Sequence, residues 1–459
     1  MTNHLTKNTD AGDSSYEQRA AMSGTSGSRR RRYSGKPQHS GPLSTAQRPL
    51  VEPNANALPV VTLKTPTPHP NIFRKRIQDI PREVEPGDCV AVRLPDGTHV
   101  GFGYCNPRSS IALRMISTGP EPPDESHWDR LLQRAVRLRT ETLQLREVTT
   151  ASRLVNGEGD FLPGLVVDQY DDVLSVEAFS LAMFQRAEAI TQRLAAITET
   201  QHAIVRTSPS SESQEGYTAD PLTSDDLPAT VNIHEFGTRF RVAFEGGHKT
   251  GFFCDQRDNR RRLALECEGK SVVDLCAYTG GFSVQAAKLG KAADVTGVEL
   301  DRQPLELAKT NANLNQVRVN FVCADIFPWM RDMIRNGRQF DVVVLDPPKL
   351  IRSRQEVEDG TRIHFDMNRL AMQLVRPGGL MVSFTCSGLL GREEFDRLIC
   401  SAARQAGDPL PGDTNEGGFQ RRGPRDVQII DRTGPGGDHP VATNCPESDY
   451  LKATWMRLW

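Results

Sequence analysis

Cys386, Asp346 and Lys349 are the residues of this chain best suited to covalent chemistry on a ring. Cys386 stands in Ser383-Phe384-Thr385-Cys386-Ser387-Gly388, and Asp346 opens Asp346-Pro347-Pro348-Lys349. A thiolate is a strong nucleophile once its pKa is lowered. One reaction in particular needs it. C5 of a pyrimidine is a poor nucleophile, but a thiolate added at C6 makes C5 enolate-like and able to attack an electrophilic methyl group. Loss of the C5 proton and departure of the thiol complete the reaction. The plainer reading of Cys386 is a small apolar core residue. The two prolines after Asp346 fix the backbone and remove two N–H donors, so Asp346 and the prolyl carbonyls are held rigidly. The plainer reading of that tetrapeptide is a stiff strand exit.

The elements that must position these residues are legible around them. Residues 272–283 read as a buried strand, a glycine turn and a helix start. Strands over 294–298, 319–323, 340–345 and 380–385 then end at Glu299, Asp325, Asp346 and Cys386. In an open α/β sheet such strand ends share one crevice, where ligands bind. Gly280 and Gly281 let the backbone approach a ligand and start the helix beside it. Glu299 lies roughly 20 residues beyond the turn, the spacing of a carboxylate that accepts both ribose hydroxyls. It is otherwise an acid favoured by a helix N-terminus. Asp325 suits an adenine amino group or an N-cap, and both roles can coexist. No G-x-G-x-x-G occurs, which argues against a dinucleotide. A nucleoside cofactor beside a thiol is the expectation.

The 459 residues are enough for two to four domains, and the net charge of −2 does not announce nucleic acid. The nine cysteines form no C-x-x-C pair, so neither a disulfide scaffold nor a zinc site is expected, and a reducing cytoplasm fits best. No metal site and no membrane span are expected. Residues 1–56 are polar, carry the arginine run 29–32 and read as a disordered tail. Residues 57–121 read as a small β-barrel, with strands over 60–63, 89–94, 99–104 and 111–116. Residues 122–243 read as a linker helix and a mixed α+β unit. That unit has a helix over 181–196, a flexible excursion over 208–227 and a hairpin folding at Phe236-Gly237. Residues 244–459 alternate strand and helix, which implies a parallel sheet.

Asp274 through Phe282, Asp346-Pro347-Pro348-Lys349 and Phe384-Thr385-Cys386-Ser387-Gly388 resemble the class I S-adenosylmethionine-dependent RNA methyltransferases. More closely, the chain is similar to the bacterial large-subunit ribosomal RNA cytosine-5 methyltransferase I family. The segments 157–165, 247–253, 255–258, 438–441 and 450–452 also match. The resemblance implies a Rossmann-like methyltransferase domain at 244–459, a PUA-like RNA-binding barrel at 57–121 and an α+β domain between them. It implies that Asp274, Tyr278, Gly280, Gly281, Glu299 and Asp325 hold S-adenosylmethionine, with Gln256 and Arg257 contributing from the preceding segment. Asp346 and Lys349 would line the target-base pocket, and Cys386 would be the nucleophile. Asp346 or water would take the C5 proton, since the Pro-Pro region has no second cysteine. Phe252, Phe253 and Tyr278 are candidates to stack on the base. The partner implied is large-subunit ribosomal RNA, and a homodimer is compatible with it. Two rivals remain: a methyltransferase acting on a base nitrogen, and a non-catalytic RNA-binding assembly factor.

Overall fold

The computed structural model of the chain describes residues 43–54, 57–244, 252–407 and 424–459. The arginine run 29–32, residues 247–251 of one matching segment and residues 408–423 lie outside these.

The first sheet holds β1 (Val60–Leu63), β2 (Asn71–Phe73), β3 (Ile77–Asp79), β4 (Asp88–Arg93), β5 (His99–Cys105) and β6 (Ile111–Ser117). Their order is β2-β6-β5-β4-β1-β3. The edge strands β2 and β3 are joined by the short turn Arg74–Arg76, and Val61, Leu63, Ile72, Val90, Val92 and Leu113 share one core. The sequence pattern misses β2 and β3, which are three residues each, too short for alternation to register. The β4–β5 turn follows its chemistry: Gly97 has φ +86, and Asp96 accepts from Thr98 N at 2.9 Å.

Helix α1 (Glu125–Arg137), the expected linker helix, is capped by Asp124 and buries Trp128, Leu131, Leu132, Ala135 and Val136 along one face. It shares a core with a second sheet of β7 (Ala151–Asn156), β8 (Leu165–Tyr170), β9 (Val173–Ala178), β10 (His202–Arg206) and β11 (Leu222–Thr223). One helix is expected over 181–196, but two are found, α2 (Leu181–Phe184) and α3 (Ala187–Thr198). The break falls at Arg186, whose guanidinium is drawn inside to Gly87 O and Ala182 O and lies 3.9 Å over the Tyr104 ring.

Two stretches expected to be loose are built into the fold. Residues 208–227 contain α4 (Pro209–Glu215) and β11. Glu215 is buried and accepts from Ser109 Oγ at 2.8 Å, Asn106 Nδ2 at 2.9 Å and Arg114 Nη2 at 3.1 Å. A polar stretch with one well-met buried carboxylate looks flexible in sequence because its partners lie about a hundred residues away. Residues 43–54 belong to the expected tail, yet Leu50 is buried and its carbonyl accepts from Trp128 Nε1. Arg48 pairs with Asp88, and Glu52 with Arg186.

The hairpin β12 (Thr230–Glu235) and β13 (Thr238–Ala243) turns at Phe236-Gly237 as expected. It leans on the last sheet's helices, with Asn311 and Asn315 side chains accepting from Arg241 N and Arg239 N. That last sheet holds β14 (Ser271–Leu275), β15 (Asp294–Glu299), β16 (Asn320–Cys323), β17 (Phe340–Leu345), β18 (Val375–Thr385), β19 (Val427–Thr433) and β20 (Lys452–Leu458). The order is β16-β15-β14-β17-β18-β20-β19, parallel through β18, with β20 antiparallel to both its neighbours. The intervening helices are α5 (Arg257–Ala264), α6 (Gly281–Lys288), α7 (Arg302–Leu314), α8 (Ile326–Arg335), α9 (Val357–Gln373) and α10 (Arg392–Arg404). Val342 to Leu345 are fully buried, the mark of a parallel strand covered on both faces. The order reverses between β14 and β17, which opens a crevice at their carboxyl ends. No helix of the described residues is long and apolar enough to cross a membrane.

Candidate active site

The glycine turn is pinned from below. Asp274 on β14 accepts from Ser283 N at 3.0 Å and Ser283 Oγ at 2.6 Å, which ties the first turn of α6 to the sheet. Burial pushes Asp274 up to about 6, against the pull of those two bonds. Gly280 has φ +78, and a Cβ there would meet Ala308 and Phe321 at 3.1 Å. A Cβ on Gly281 would meet Arg260 at 3.1 Å. The turn's own packing therefore also favours glycine at both positions, beside the close approach to a ligand expected of them.

Glu299 ends β15 and accepts from Tyr278 N at 2.8 Å and Asp301 N at 3.0 Å. Cys276 and Tyr278 both have left-handed backbones, φ 66 and 50. That conformation costs a non-glycine residue about 1–2 kcal/mol, and such strain collects at ligand sites. Asp325 fills its N-cap role, accepting from Phe327 N at 2.8 Å. Burial pushes the Cys276 thiol up, and Glu299, Asp346, Asp274 and Asp325 push it further. Four carboxylates thus converge on one loop, a field that suits a cationic ligand.

Asp346 leaves β17 half-buried. Gln256 Nε2 donates to its Oδ2 at 3.0 Å, and Asn259 Nδ2 donates to Gln256 Oε1 at 2.8 Å. Burial pushes Asp346 up to about 7, with Asp255 and Asp274 adding to the rise and Gln256 opposing it. Lys349 is exposed. Gln256 is thus a support for Asp346. Arg257 departs from expectation: it is buried, and its terminal nitrogens donate to Asp438 at 2.9 and 3.0 Å. Its guanidinium serves as an internal clamp on Asp438. Phe252 is likewise core, packed on Phe240, whereas the Phe253 and Tyr278 rings sit 5.1 Å apart and are both partly exposed.

Cys386 follows β18 and is half-buried. The register pairs Leu345 with Ser383, so the Asp346 and Cys386 loops leave adjacent strands side by side. Ser387 ties them: its Oγ accepts from Ile351 N at 3.3 Å, and its N donates to Thr385 Oγ1 at 3.3 Å. Thr385 in turn meets His364 Nε2 at 3.2 Å, and burial pushes His364 down to about 4, so it is neutral.

Asp255, Asp438 and Lys452 lie in the matching segments 255–258, 438–441 and 450–452, but the sequence assigned them no role. Tyr450 donates to Asp255 Oδ2 at 2.5 Å, and Lys452 Nζ donates to Ser387 O at 3.3 Å. The available signal was a lysine opening an otherwise apolar strand, Lys452-Ala453-Thr454-Trp455-Met456. One cluster, His69, Cys445 and Glu447, brings its ligand atoms within 4.8 Å of one another. His69 Nδ1 accepts from Asn71 N at 2.9 Å, so its proton sits on Nε2, facing Glu447 at 2.5 Å. That is hydrogen-bond geometry, with no ring lone pair left for a cation. A separate groove of about 760 Å³ lies along α1 and the turn Gly157–Asp160. Its lining mixes Arg130, Arg134 and Arg137 with Asp129, Glu141 and Asp160, and none of the carboxyl ends of β14 to β18 line it.

Residues 153–408 match the family profile of S-adenosylmethionine-dependent methyltransferases, and residues 67–118 match that of a PUA-like domain. The chain is 34% identical over 398 residues to the ribosomal RNA large subunit methyltransferase I of Shewanella frigidimarina, covering 85% of this chain and 96% of that one. Over 391 residues it is 32% identical to the protein of the same name from Vibrio cholerae, covering 84% and 94%. A solved chain described as a methyltransferase complexed with SAH is similar at TM-score 0.71 and 20% identity, covering 87% of this chain and all of that one. A SAM-dependent methyltransferase from Streptococcus mutans is similar at TM-score 0.68 and 19% identity, covering 86% and 100%. These two likenesses bear on the fold alone.

Proposed function

The chain belongs to the S-adenosylmethionine-dependent methyltransferase family, and from that membership we propose that it forms 5-methylcytosine in large-subunit ribosomal RNA. The observation that carries this reading is the half-buried Cys386 just past the strand next to that of Asp346, in a loop tied to the segment after Asp-Pro-Pro-Lys through Ser387.

The residues present fit the cofactor. Four carboxylates around Cys276 suit a sulfonium cation, and Glu299 oxygens that accept backbone N–H groups keep lone pairs for ribose hydroxyls. Asp274, Tyr278, Gly280, Gly281, Glu299 and Asp325 form that side of the site. S-adenosylmethionine supplies an electrophilic methyl group and leaves as S-adenosylhomocysteine. Cys386 Sγ, as thiolate, bonds to C6, and the C5–C6 π pair moves to C5. C5 takes up the methyl group and then gives its proton to Asp346. The S–C6 bond breaks, restoring the aromatic ring and the thiolate. A carboxylate near pKa 7 suits that proton transfer at neutral pH. Lys349, exposed beside Asp346, lines the base pocket, and the PUA-like sheet recruits the RNA. Nine free thiols accord with a cytoplasmic setting.

The test uses ribosomal RNA carrying tritium at cytosine C5, with purified protein and cofactor. Release of tritium with 5-methylcytosine found by nucleoside mass spectrometry is expected. A methyl group found only on a base nitrogen would replace this reading with the nitrogen-methyltransferase one. No modification of any base would favour the assembly-factor reading.

A further inference from the structure

Lys452 opens β20 opposite Thr385 of β18, which places it beside the Cys386 loop. It is 4% exposed. Its Nζ has three N–H donors, and among the described residues it donates to two carbonyls, Ser387 O and Tyr450 O, both at 3.3 Å. Among the described residues no carboxylate pairs with it directly; Asp449 and Glu394 act at longer range, and Arg392 opposes them. Burial lowers its pKa, and Cys386 is among the groups that hold it up. A buried ammonium with only neutral partners costs several kcal/mol unless an anion compensates. The group able to become that anion is the thiol one residue before Ser387.

We propose that Lys452 is a positioning residue that keeps Cys386 in its thiolate form. The proposal rests on the reading of Cys386 as nucleophile. Lys452 stays an ammonium throughout. The thiol proton is lost to water, the positive charge faces the bare sulfur before it adds to C6, and it faces it again when the S–C6 bond breaks. The bond to Ser387 O fixes the loop that aims the sulfur. The other charged or titratable groups around this point are Arg392 and Glu394 of α10, Asp449 before β20, and His364 of α9, which is neutral.

The full chain is alkylated with iodoacetamide from about pH 6 to 10, and each cysteine is followed by peptide mass spectrometry. In Lys452→Met the Cys386 rate at neutral pH should fall about tenfold, which is one unit in its apparent pKa. Lys452→Arg should restore most of it. Lys452→Gln keeps a donor for Ser387 O without the charge, and should behave like the methionine variant. The exposed Cys323 and Cys400 serve as internal controls whose profiles stay put. An unshifted Cys386 profile in a folded Lys452→Gln or Lys452→Met protein overturns the proposal. Wild-type protein that makes no 5-methylcytosine, while the alkylation profile shifts as expected, would remove the nucleophile reading and leave the lysine–thiol pair standing.

Discussion

Asp346 sets two pH dependences with opposite signs. Its folded pKa is raised to about 7, chiefly by burial. The folded protein therefore holds this proton more tightly than the unfolded chain. The resulting stability is fully present below the ordinary carboxylate pKa of about 4 and is lost as pH rises through about 7. In the proposed mechanism removal of the C5 proton needs the ionised form, so formation of 5-methylcytosine should rise over the upper part of that window. Asp346→Asn should lower the rate by roughly 10²–10⁴-fold and flatten the rise near pH 7 in single-turnover measurements. Cys386→Ala should abolish 5-methylcytosine formation while calorimetry still detects S-adenosylhomocysteine binding; unaltered turnover would remove the thiol mechanism. Cys386, Asp346, Glu299 and Asp325 were legible because each follows an apolar run that ends abruptly. Gln256 was named only for the cofactor side and Lys452 only within a matching segment; their contacts with Asp346 and Ser387 were not legible, because those partners stand 90 and 65 positions away and no local pattern links them.

At the scale of elements, the parallel sheet was the most readable part, since its strands are short apolar runs separated by helical periods. What the pattern could not supply were elements made by tertiary contacts: β2, β3 and β11, and the break between α2 and α3 at the interior Arg186. The glycine turn shows how one element serves another. Gly280→Ala would need a strained positive φ and press a methyl group against Ala308 and Phe321. A loss of about 1–3 kcal/mol is expected in urea unfolding, with weaker cofactor binding, because α7 and β16 would have to give way. Wild-type stability in that variant would show that the turn relaxes freely.

Across the whole molecule, hydrophobic cores run across the domain boundaries expected from sequence. Leu50, Phe102 and Tyr104 share one core with Trp128 and the second sheet, while Phe240 and Val242 share another with Val284 and Ala312. A chain beginning at residue 57 should therefore melt well below one beginning at residue 43, because Trp128 and Arg186 lose Leu50 and Glu52. Asp438 connects distant parts of this scheme. Its side chain accepts from Arg257 and from Arg153 N, and its carbonyl from Arg139. Burial opposes its ionisation, but His439 and Arg257 hold it well below the usual carboxylate range. Its stabilisation is thus present above about pH 4 and lost on acidification below that. Asp438→Asn should cost roughly 3–5 kcal/mol by leaving Arg257 buried without its counterion, read as a lower denaturant midpoint.

Arg139 and Asp438 stand 299 positions apart. At translation speeds of about 5–20 residues per second, the arginine emerges roughly 15–60 s before the residue that completes its site. A nascent chain paused anywhere in that interval lacks the clamp, and it also lacks the lysine that opens the following strand. The enzyme is in this sense locked last from its far end, so a ribosome releasing an interrupted copy would not release a working one.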